Sequence, residues 1–141
     1  MPTYLIVANQ TLGGAELIDH VRARLQDGPC SFHLVVPATP PKDHLTWTEG
    51  EAQTIAGHRL DEGLDRLRSM GAEADGEVGD ASPMLAVDDA LRDRTVDGII
   101  VTTLPAGLSK WLKLSLPDRL DRKYDVPVTH IVVQAEASTH R

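Results

Sequence analysis

Short runs of continuous apolar, mostly β-branched residues alternate along this chain with segments whose apolar positions recur every three or four residues. Tyr4-Leu5-Ile6-Val7-Ala8 is the first run and gives way to polar Asn9-Gln10-Thr11, the pattern of a buried strand entering a turn. Past Gly13-Gly14, residues Leu17, Ile18, Val21 and Leu25 share one helical face, and Gly28-Pro29 ends that helix. Phe32 to Val36 repeats the strand pattern. Pro37-Ala38-Thr39-Pro40-Pro41 then stops the ladder, because proline lacks a donor, and an irregular stretch reaches Trp47. Thr48 and Glu51 form a capping box for a long helix lined by Ala52, Ala56, Leu60, Leu64 and Leu67 and closed by Gly71.

The third strand, Ala74 to Gly79 around Glu77-Val78, is polar enough to be an edge. Asp80 or Ser82 caps the next helix, with Pro83 in its first turn and Met84, Val87 and Leu91 facing the sheet. After the Val96-Asp97-Gly98 turn, Ile99-Ile100-Val101 is the clearest buried strand. Leu108, Leu112, Leu116 and Leu120 follow as an amphipathic stretch broken by Pro117, and Val128 to Val133 is the last strand, before a polar tail. Strands and helices alternating in this way predict a doubly wound, Rossmann-like α/β fold: a five-stranded parallel sheet with right-handed crossovers and helices on both faces. Such strands are covered on both sides, so their apolar runs need no polar alternation. Without an internal repeat or linker, residues 1–141 read as a single domain.

Composition narrows the function. Aromatic residues make up only 4% of the chain, which leaves few rings for stacking on bases, and the net charge of −7 opposes binding to a phosphate backbone. Nucleic acid is therefore not an expected partner. No apolar run approaches the roughly 20 residues of a membrane span, and Met1-Pro2-Thr3-Tyr4 lacks a charged leader, so a cytoplasmic protein without membrane contact is expected. Cys30, the one cysteine, reads as a buried, inert thiol.

In doubly wound sheets small molecules bind beyond the carboxyl ends of the strands, where strand order reverses. Three segments meet that description: Asn9, Gln10 and Thr11 with the glycines after them, the segment starting at Pro37, and the loop from Thr102 to Ser109. Thr102, Thr103, Ser109 and Lys110, with backbone donors around Gly107, are candidates to hold a small anion. The six histidines form no metal-spaced pair, and His33 and His130, both in strands, read as satisfied structural imidazoles. Neither Ser82 nor Ser109 sits in a nucleophile elbow. A phosphoacceptor receiver domain would need clustered acids where this chain has Asn9-Gln10-Thr11. Asp88-Asp89, Asp118 to Asp125 and the basic residues mixed with them read as solvated helix faces, and Trp47 and Trp111 as either packing or contact residues.

The order Ile99-Ile100-Val101, Gly107-Leu108-Ser109-Lys110-Trp111-Leu112, Ser115 opening a helix, then Val126-Pro127-Val128 entering a strand resembles the C-terminal half of universal stress proteins. The long capped helix and the Gly79-Asp80 turn into Ser82-Pro83 extend the resemblance over nearly the whole chain. It implies an adenine nucleotide alpha hydrolase-like sheet of order 3-2-1-4-5. It also implies a homodimer through the edge strand Val128, Thr129, His130, Ile131, Val132 and Val133. ATP-binding members carry glycine, two residues, glycine, nine residues, then glycine with serine or threonine. Here Thr102 occupies the first glycine position, Leu104-Pro105 the second and Leu114 the third, while Ser115 matches and Asn9 replaces the usual acid. Pro117 also removes a donor from the helix start that would face the phosphates.

The expectation is a non-enzymatic, stress-protein-like module that acts through dimerisation and through a protein partner or a weakly held small ligand. The alternative is an ATP-binding member with a non-standard phosphate loop. An enzyme of the wider nucleotide-binding group would want a His-x-x-His signature, which is missing.

Overall fold

The computed structural model describes residues 1–8, 14–38, 49–103 and 116–133. Five strands, β1 Thr3–Val7, β2 Ser31–Pro37, β3 Glu73–Gly79, β4 Gly98–Thr103 and β5 Val128–Val132, form one sheet of order β3-β2-β1-β4-β5. Every pairing is parallel. Among the described residues the helices are α1 Ala15–Asp27, α2 Glu49–Ser69, α3 Pro83–Arg92 and α4 Leu116–Lys123.

Because side chains alternate along a strand, each apolar run feeds two cores at once. Ile6, Phe32, Leu34, Val36 and Ile100 pack with Leu17 and Val21 of α1 and Ala52, Ala56 and Leu67 of α2. On the opposite face Leu5, Val7, Val35, Ile99 and Val101 pack with Ala86, Val87 and Ala90 of α3 and Leu116 and Leu120 of α4. This division follows from topology. Moving outward from β1 to β3 puts α1 and α2 on one face, and reversing direction through β4 to β5 puts α3 and α4 on the other when crossovers keep one hand.

Local rules account for the element ends. Gly28 and Gly71 follow α1 and α2 with φ of 146° and 92°, backbone that other residues rarely adopt. The Ser82 hydroxyl accepts the Leu85 amide at the start of α3, while Asp80 Oδ1 accepts the Ser82 amide, so both expected capping residues take part. Thr48 lies outside the described residues. Leu91 and Met84 are only partly buried in the second core, and Ala86 and Ala90 take the closest positions against the sheet.

One boundary expectation is corrected. Pro37 does not end the ladder ahead of itself; it is the last residue of β2, in register with Gly79. Ala38 donates to Gly79, so the donor that proline lacks belongs on the β1 side, where pairing with β2 already stops at Val7 and Val35. Pro117 is the second residue of the described part of α4, and the stretch from Leu108 that it was expected to break lies outside the described residues up to 115.

The Asp88 region is a tie between helices as well as a solvated face. The Tyr124 hydroxyl donates to Asp88 Oδ1, and Lys123 Nζ lies 3.0 Å from Oδ2, joining α3 to the end of α4. Burial acts to raise the Asp88 carboxyl, but the Tyr124 and Lys123 hydrogen bonds and the neighbouring positive charges hold it below its ordinary value. Burial and the same carboxylate push the Tyr124 phenol up.

Candidate functional site

Strand order reverses at β1, which lies between β2 and β4, so the ligand position of this fold class is at the carboxyl ends of β1 and β4. The floor of that position is built from Val7-Ala8, Pro37-Ala38 and Thr102-Thr103. Its backbone is tied to the end: Ala8 donates to Val35 at 3.2 Å, Ala38 to Gly79 at 3.1 Å and Val133 to Thr103 at 2.8 Å.

Both candidate threonines have their hydroxyls engaged within the protein. Thr102 is fully buried on the α1 side, with Oγ1 at 3.5 Å from the Val7 carbonyl. Thr103, on the opposite face, is 1% exposed, and its Oγ1 lies 2.7 Å from Nε2 of His130 on β5. His130 stands beside Val101 in the β4–β5 register, so the contact is a diagonal one across neighbouring strands. The structural imidazole expected at His130 has Thr103 as its partner, a residue 27 positions away in the chain. The only signal was that both residues belong to adjacent strands, which requires the register.

The start of α1 closes the same corner. Gly14 is its N-cap residue and has no side-chain cap, and its carbonyl accepts the Ile18 amide. A Cβ at Gly14 would stand 3.1 Å from Cγ2 and 3.2 Å from Cβ of Val133, with Cγ1 nearer still, so helix and strand end meet where only a glycine fits. Glu16 lies in the first turn of α1. A carboxylate there satisfies the positive end of the helix dipole and repels a second anion.

Pro37, Thr102 and Thr103 are thus brought to one end of the sheet. Asn9, Gln10, Thr11, Gly107, Ser109, Lys110 and Ser115 lie outside the described residues, as do Trp47 and Trp111. Among the described residues no group of histidine, cysteine and acidic side chains is placed to hold a metal ion. Cys30 is buried, and burial pushes its thiol up against the opposing charge of Arg24. No helix among the described residues is long and apolar enough to cross a membrane.

No family model matches the chain, and no curated protein matches it. Among solved structures it resembles a protein of the universal stress protein family from Burkholderia pseudomallei, at a TM-score of 0.56 over 92% of this chain and 95% of that one. The fold is that of a universal stress protein. Sequence identity between the two is 15%, so the likeness lies in the sheet order and helix placement. The universal stress protein fold inferred from Ile99 to Val128 and the long second helix is therefore the one the chain adopts, with the 3-2-1-4-5 order.

Proposed function

We propose that this chain is a universal stress protein-like module that works without chemical turnover, as a homodimer joined through β5. In this proposal it serves a cytoplasmic stress response through a protein partner or a weakly held small ligand. The observation that supports it is the contrast between the two edges of the sheet. β3 carries Glu73, Asp75 and Glu77, and charge on an edge strand discourages pairing with another chain. β5, Val128-Thr129-His130-Ile131-Val132, carries no lysine, arginine or acid, and Val132 is 38% exposed. An edge of that composition suits a second copy of itself, related by a two-fold axis.

Ile131 packs partly against the first core, so a charge there would disturb the fold as well as an interface. Val132 is the better probe. Light scattering of the unmodified protein at micromolar concentration should give a dimer, and Val132→Lys should give a folded monomer. A monomer for the unmodified chain ends the dimer proposal.

A further inference from the structure

The hydrogen bonds of β5 to β4 fix which of its backbone groups face the open edge of the sheet. The Ile99 amide donates to the Pro127 carbonyl at 2.9 Å, and the Val133 amide donates to the Thr103 carbonyl at 2.8 Å. Between these bonds the strands run in parallel register, from Ile99 beside Val128 to Thr103 beside Val132. In such a ladder successive residues turn their N–H and C=O alternately toward the neighbour and away from it. Pro127, Thr129, Ile131 and Val133 therefore bond to β4. Val128, His130 and Val132 each turn one donor and one acceptor outward, on a strand that holds no lysine, arginine or acid.

A two-fold axis normal to the sheet brings two copies of one edge strand together antiparallel. The outward groups bond only where outward residues stand opposite each other. An axis at His130 achieves this for all of them, since it sets His130 beside its own mate and Val128 of each copy beside Val132 of the other. An axis at Thr129 or at Ile131 carries Val132 or Val128, respectively, past the end of the other copy's β5. Side chains agree with the first arrangement. Val128 packs partly against the second core and Val132 lies on the same face, 38% exposed, so the pairing gives the exposed valine an apolar neighbour. On the other face Ile131 meets Thr129 of the second copy. Thr103 Oγ1, 2.7 Å from His130 Nε2, draws the imidazole toward β4 and away from the axis.

We propose that two copies of this chain join their sheets in one antiparallel register, with His130 on the two-fold axis and Val128 opposite Val132. This depends on the homodimer reading above and adds to it the residue at the axis. Through the Thr103 contact, the axis residue is also tied to the carboxyl end of β4, where the fold class places its ligand.

Single cysteines test the register, with Cys30→Ala in each chain to remove the native thiol. Directly paired residues have Cα atoms about 5.5 Å apart, within the span of a disulfide. His130→Cys, at an exposed position, should be converted to covalent dimer by diamide at micromolar protein. Val128→Cys and Val132→Cys should each stay uncrosslinked alone, because each lies four residue steps, roughly 14 Å, from its own mate. A mixture of these two chains, unfolded together and refolded, should crosslink, and this holds the test even if position 130 tolerates no change. Light scattering that shows a dimer, together with crosslinking of Val128→Cys or Val132→Cys alone or no crosslinking of either His130→Cys or the mixture, would overturn the register and leave the dimer standing. A monomer would remove both.

Discussion

Gly14 and Val133 stand in such close contact that the space a methyl group on Gly14 would need is already filled by the valine side chain. The start of α1 is thereby seated on the end of β5, although 119 residues of numbering (133 − 14) separate the two positions. Val133 is β-branched, with a stiff χ1, and is 4% exposed, so it has no open space to turn into.

Gly14→Ala should therefore destabilise the fold by about 1–3 kcal/mol, the usual cost of overpacking. Gly57, inside α2, has nothing within 4 Å of the place a Cβ would take. Gly57→Ala should stabilise by about 0.5–1 kcal/mol through helix propensity alone. Chemical denaturation of the two variants tests both signs, and equal effects would mean that the Val133 contact is not what demands glycine at position 14.

At the opposite end of the sheet, Arg24 Nε donates to His20 Nε2 at 2.9 Å, and the guanidinium lies over the Tyr4 ring at 4.3 Å. Burial, followed by the Arg24 charge, holds His20 below the ordinary histidine value. A depressed value means that the unfolded chain takes up a proton, near about pH 6.5, that the folded chain still refuses. Stability from this site is present above that pH and lost as pH falls. Denaturation midpoints should be lower at about pH 5 than at about pH 7, and His20→Gln, which can still accept from Arg24, should shrink the difference. An identical acid-side loss in both proteins would remove His20 from the account.

Mg-ATP at about 0.1 mM should leave the thermal midpoint unchanged within about 1 °C. The Thr102 hydroxyl is directed at the Val7 carbonyl, Glu16 occupies the first turn of α1, and a net charge of −7 opposes a polyanion. A ligand at a hundred times its dissociation constant adds about 2.7 kcal/mol, enough for a shift of several degrees in a chain of this size. A shift of that size, abolished by Ser115→Ala or Lys110→Ala, would replace the proposed module with a nucleotide-binding one.

The elements of this protein are legible in its sequence because they depend on neighbours in the chain. A run such as Ile99-Ile100-Val101 is continuous because both faces of its strand are covered, and the 3.6-residue recurrence of Leu17 and Val21 follows from helix geometry alone. Caps and stops such as Ser82, Gly28 and Gly71 are equally local. Strand order needed the further resemblance of loop and helix lengths to a known fold, since alternation alone does not say which strand lies in the centre. What the tertiary structure alone decided are the partnerships across the sheet. His33 meets acids 42 and 44 positions away, Thr103 meets His130 at 27, and the allowed place of Pro37 in β2 depends on where β1 stops. These relations rest on register, and register is set by the packing of two cores on one sheet, which leaves no periodic trace in the residues it brings together.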